Sequence, residues 1–177
     1  MLLNAKISNY YLGKKMNEEI KTVKIGLFLV MLSLIFGIVL GIYFGAAEDS
    51  VKSFISEGIA SHPEVHDAKS QGKIWRYVQR AHFHSLGIAS FSIGLVLLIM
   101  FSSLKKRLKL ASSILIGLGG LYSLSWFTMF LLSPSMGRSA AHHHIITELF
   151  AFIGTGSLLL GMAILCANLF LGMFQEV

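Results

Sequence analysis

The chain carries 54% hydrophobic and 14% charged residues over 177 positions, with a mean hydropathy of +0.69, one cysteine and a formal net charge of +6. Soluble domains run at about 45–50% apolar and about 25% charged residues, so a water-soluble globule is excluded and the bilayer is the expected solvent. The lone Cys166 excludes an intrachain disulfide; set in an apolar run, it is expected to act as a small hydrophobe.

Residues 1–24 form a basic tail with Lys6, Lys14, Lys15, Lys21 and Lys24. The mixed charges of KKMNEEIKTVK, at helical spacing and without a breaker, predict a short cytoplasmic helix there. Residues 25–174 are expected to form a single transmembrane domain with apolar runs at about 25–45, 84–104, 110–132 and 145–174. Each run can cross a hydrocarbon core of roughly 30 Å, which takes about 20 helical residues. The first run is too long for a secretory signal, whose apolar region spans about 7–15 residues, so GAAEDS at 45–50 is taken as loop and not as a cleavage site. Gly37, Gly41 and Gly45 make a doubled small-xxx-small pattern, which suits close approach of a second helix.

The outer loop, 46–81, places Val51, Phe54, Ile55 and Ile59 on one helical face, with Asp49 or Ser50 available as an N-cap. This predicts a short amphipathic helix on the outer membrane surface or over the mouth of the bundle. SHPEV then interrupts it, because proline disfavours helix in the residue before it. A further helix is expected from about Glu64 to Asp67 onward into the second span, with Trp75 and Tyr77 at the interface. The short basic connection at 103–109 makes spans two and three antiparallel neighbours. Pro134 and Gly137 mark an outer turn before the fourth span.

The fold class that follows is all-α, an integral membrane four-helix bundle of two helical hairpins. Lys and Arg near the span ends fall mainly in the tail and at Lys105, Lys106, Arg107 and Lys109. The positive-inside rule then puts both termini in the cytoplasm of a bacterial-type inner membrane. The charge is therefore a topology signal and calls for no nucleic acid.

RAHFHSLGIASFSIG at 80–94 and AAHHHIITELFAFIG at 140–154 each place Ala-His-x-His at the head of a descending span. The correspondence suggests parallel two-helix repeats about an axis along the membrane normal, against coincidence in an apolar sequence. All seven histidines, His62, His66, His82, His84, His142, His143 and His144, fall on the predicted outer side. Neutral imidazole ligates metals and haem iron. Facing helices could offer one of His82 and His84 and one of His142 and His144 to a haem b, with Arg80 and Arg138 able to pair with propionates. Within one helix, residues i and i+2 point about 200° apart, so each motif can aim only one histidine at a shared iron.

The spare imidazoles could hydrogen-bond a quinol. Alternatively, His82, His84, His142, His143, His144 and Glu148 could hold copper or zinc. Glu148 also suits the first turn of a helix by the macrodipole alone, and HHH could serve simply as a polar cap. HPEVH at 62–66 is the weaker pair, interrupted by its proline. There is no Cys-x-x-Cys-His, no phosphate-binding glycine loop and no Ser-His-Asp constellation, so whether the chain is an enzyme stays open. The leading expectation is electron transfer with the quinone pool through haem b. The alternatives are a non-catalytic subunit of a larger membrane complex or homo-oligomer, and a copper- or zinc-handling protein.

Overall fold

Four helices in the computed structural model are long and apolar enough to cross a membrane. The structure describes the backbone of residues 2–176 and the side chains of Gly13, Lys14 and residues 16–176. In chain order the helices are α1 Leu2–Ala46, α2 Glu48–Ser61, α3 Ser70–Phe101, α4 Lys106–Leu118, α5 Leu121–Met136, α6 Arg138–His142 and α7 Ile145–Leu171, with a 3₁₀ turn at Pro63–Val65. Among the described residues the only extended pairing is an isolated bridge between Leu104 and Gln175.

The tail and the first span are one continuous helix, because nothing between Leu2 and Ala46 breaks the backbone ladder. At 1.5 Å per residue α3 is roughly 48 Å long, so about a third of it stands beyond a 30 Å hydrocarbon core. It begins at Ser70, later than expected, after Asp67 has folded back on Ser70: the Ser70 hydroxyl donates to Asp67 Oδ1 at 3.0 Å. The fourth span ends at Leu171 instead of continuing to Phe174. Gly172 takes the left-handed conformation at φ +65°, and the amides of Gly172 and Met173 return to the carbonyls of Asn168 and Ala167.

The third span is broken near its middle. Gly119 and Gly120 adopt 3₁₀ angles, and the amides of Gly119, Gly120, Tyr122 and Ser123 bond to carbonyls three residues back at 3.0–3.3 Å. The break redirects the span: α4 packs against α1 and α7, whereas α5 packs against α3 and α7. A Cβ added at Gly120 would stand 2.8 Å from Ser33 of α1, and one at Gly154 of α7 would strike the Tyr122 backbone. The buried stripe Gly154, Ser157, Gly161, Leu165 and Asn168 seats α7 on the third span.

Two clusters of buried apolar side chains form the core. Val23, Val30, Val96, Ile99, Leu104, Ile116 and Leu165 fill the end that carries the termini. Leu40, Val51, Ile55, Ile74, Val78, Ala81 and Phe130 fill the histidine end. The second cluster fixes α2 over the mouth of the bundle, with Val51 and Ile55 buried and Phe54 against Phe130 at 5.5 Å. Its N-cap position is Ala47, without a side-chain cap, and neither Asp49 nor Ser50 serves there. Outside the core, Phe28, Ile35, Ile42, Phe101, Phe152 and Phe170 lie bare around the bundle. Water would penalise such a surface, while hydrocarbon accepts it.

The C-terminal segment meets the α3–α4 connection at one end of the bundle. Lys105 N–H donates to Phe174 O and Glu176 N–H to Ser103 O, at 3.1 and 2.9 Å. Beside them the buried Lys109 ammonium donates to Glu19 Oε2 at 2.7 Å and Met100 O at 3.0 Å, tying α4 to α1 and α3. Pro134 lies within the last turns of α5, and the turn itself falls at Gly137, whose φ of +81° ends α5 and opens α6.

Candidate functional site

The two Ala-His-x-His copies occupy different local structure. Ala81 to His84 lie about three turns inside α3, whereas Ala141 and His142 end α6, His143 caps it and His144 is the extended residue before α7.

Helical geometry divides the first copy as its spacing requires. His82 turns toward α1, where its Nδ1–H donates to Gly37 O at 2.8 Å. The ring lies on the backbone of Gly41, whose added Cβ would stand 2.5 Å from His82 Cε1, and Phe44 meets it edge-on at 5.5 Å. A hydrogen bond to a carbonyl fixes the tautomer, so the proton sits on Nδ1 and Nε2 keeps the lone pair. Gly37 and Gly41 thus supply the close approach that the small-residue pattern predicts, while nothing lies within 4 Å of a Cβ at Gly45.

His84 turns the other way, toward α5. It stacks on Trp126 with an interplanar angle of 18° and a centroid distance of 5.8 Å, and meets Tyr122 edge-on at 5.1 Å. One turn up, the Arg80 guanidinium lies 4.7 Å from the centroid of the same indole, and Tyr77 packs on it at 5.8 Å. Tyr77, Arg80 and His84 follow the i, i+3, i+7 spacing of one helical face.

The second copy is distributed over three tasks. His144 Nδ1 accepts the Ile146 amide at 3.4 Å as the N-cap of α7. His143 pairs with Glu148 at 3.1 Å. His142 faces a polar vestibule of about 530 Å³ that it shares with Glu64, His66, Asp67, Tyr77 and Arg138. In that vestibule Arg138 donates to Asp67 Oδ2 at 2.8 Å, and the His66 Nε2–H donates to Pro134 O at 3.0 Å, leaving a buried Nδ1 without a partner. The Ser70 hydroxyl above all, then the Lys69 amide and the Arg138 charge, hold the Asp67 carboxyl below the ordinary aspartate range. His62 bonds back to Gly58 O within its own helix end.

The structure therefore does not gather the four motif histidines. α3 packs on α1 and α5, α7 on α4 and α5, so the third span stands between the two descending helices. Among the described residues no three His, Cys, Asp or Glu side chains form a metal-sized group. Arg80 covers Trp126, and Arg138 is engaged by Asp67. Sequence reasoning missed Tyr122 and Trp126, and took Tyr77 only as an interface residue. The Tyr77-Arg80-His84 spacing was visible, but nothing in the string says which helix it faces.

The chain matches no protein-family model, no curated protein and no solved structure.

Proposed function

We propose that this chain is an electron-transfer protein of the membrane that binds haem b through His82 and exchanges electrons with the quinone pool at its histidine end. The observation that carries the reading is the His82 imidazole. Its Nδ1–H is spent on the Gly37 carbonyl at 2.8 Å and its ring is seated on Gly41, so Nε2 is held as the free donor atom. Metal-bound histidines are oriented in this way, the outer nitrogen anchored to a carbonyl while the other meets the metal. None of the other motif histidines has that arrangement. His144 Nδ1 is occupied by a backbone amide and His143 by a carboxylate. Haem b held by His82 would supply a one-electron redox centre at the α1 side of α3, because the ring looks toward α1 and not toward α5.

Absorbance and iron content of protein purified from haem-sufficient membranes test this. A Soret band with iron at stoichiometric level, lost in His82→Ala and kept in His143→Ala, is the expected result. Absence of both band and iron from the unaltered protein ends the haem reading.

A further inference from the structure

We propose that the seam between α3 and α5 at the histidine end, where Tyr77, Arg80 and His84 pack on Tyr122 and Trp126, binds the head group of a membrane quinone. The identity of the ligand rests on the electron-transfer reading; the need for a ligand rests on the cluster itself.

Two members of the cluster, Arg80 and Trp126, can only donate and have no acceptor among the described residues. Arg80 enters none of the ion pairs among the described residues, where Asp67 is taken by Arg138, Glu48 by Lys52 and Glu148 by His143. Trp126 Nε1–H is buried and has no acceptor. An indole N–H can only donate, and a buried donor without an acceptor is unfavourable. The two tyrosine hydroxyls and His84 can donate or accept, whereas Arg80 and Trp126 can only donate. A complementary ligand therefore brings acceptor oxygens for Arg80 and the Trp126 N–H.

The same side chains form an aromatic frame. His84 and Trp126 lie nearly parallel, Tyr122 stands edge-on to both at 71° and 89°, and Tyr77 is tilted at 43°. Such edges and faces receive a flat conjugated ring. The level is also specific: below the cluster α3 runs into Ile88, Phe91 and Leu95, and above it lies the polar vestibule. A ring with carbonyl oxygens on an apolar tail matches that boundary. Arg80, exposed and lying over the indole, is the charged side chain placed to reach a carbonyl bound at this ring.

The rival occupant is the phosphate of an anionic lipid, which would use Arg80 and ignore the rings. Trp75 and Trp126 are the only tryptophans, so fluorescence separates the two. The Trp75→Phe protein in phosphatidylcholine nanodiscs is titrated with a short-chain quinone. Saturable quenching of Trp126 is expected, at least tenfold weaker in Arg80→Gln and in Tyr122→Phe. The Trp126→Phe protein, reporting through Trp75, is expected to show only linear collisional quenching.

Equal, non-saturating quenching of both tryptophans overturns the proposal. So does loss of the saturable signal when a fifth of the lipid is replaced by phosphatidylglycerol, since the cluster is then a lipid anchor. The haem reading fails or stands separately: saturable quinone binding by His82→Ala supports this site whether or not haem is present. Haem binding without saturable quenching removes the site and leaves the haem.

Discussion

At the scale of single residues, glycine placement decides what the histidine can do. His82 lies flat on Gly41 because no side chain stands there, and the carbonyl of Gly37 is open to its Nδ1–H. Gly41→Val drives a branched side chain into the ring and pushes α3 from α1, a repacking that costs about 1–3 kcal/mol. Gly45→Val is the control, because nothing lies within 4 Å of its Cβ. Thermal unfolding in detergent is expected to show a lowered midpoint for the first variant and little change for the second; equal midpoints would mean that the ring does not need the glycine. A second residue-level feature is Lys109, only 5% exposed and paired with Glu19 across two helices. Glu19→Gln keeps an acceptor oxygen beside the buried ammonium but removes its compensating charge. Breaking such a pair from one side costs about 3 kcal/mol, read in the same unfolding assay, while Glu18→Gln, whose Lys21 partner is exposed, is expected to be near neutral.

At the scale of elements, the third span and the vestibule loop show where local chemistry overrides a smooth apolar pattern. The apolar run over 110–132 predicts one continuous span, and Gly119 and Gly120 interrupt it. The chain tightens there because α1 and α7 both press against it, at Ser33 and at Gly154. Gly120→Val forces α1 outward, and a loss of about 1–3 kcal/mol is expected, with the third span shifted as a unit. The 62–69 connection is held to α6 by Asp67, whose carboxyl is stabilised in its charged form. A depressed carboxyl contributes stability above its unfolded pKa of about 3.9, and that contribution is lost as pH falls through the folded value. Hydrogen exchange of the amides at Lys69 and Ser70 is therefore expected to accelerate below about pH 3.9, beyond its intrinsic pH trend. Asp67→Asn, fast at every pH, isolates this from titration of Glu64, His66 and His142 in the same vestibule. An unchanged acid response in Asp67→Asn would assign the effect to those neighbours.

At the scale of the whole molecule, hydropathy made the four apolar helices legible, and the small-residue pattern marked the α1 face that α3 uses. Side-chain direction was another matter. The 200° separation of His82 and His84 is fixed by the helix, but the partner of each depends on the third span standing between α3 and α7. The second Ala-His-x-His is not helical throughout, so resemblance of strings does not become resemblance of structure. Sidedness is a further whole-molecule property, and it follows from charge. Lys105, Lys106, Arg107 and Lys109 share an end with the tail lysines, while the histidine end has Lys52, Lys69, Lys73, Arg76, Arg80 and Arg138. The rule counts Lys and Arg close to the span ends, and on that count we propose that the termini face the cytoplasm. In a Cys166→Ser background, Ser139→Cys in intact bacterial cells is expected to react with a membrane-impermeant maleimide, and Lys106→Cys only after the membrane is opened. Labelling of position 106 in intact cells would invert the molecule and turn the vestibule, the His82 seat and the α3–α5 seam toward the cytoplasm. Any electron partner would then have to be sought on that side.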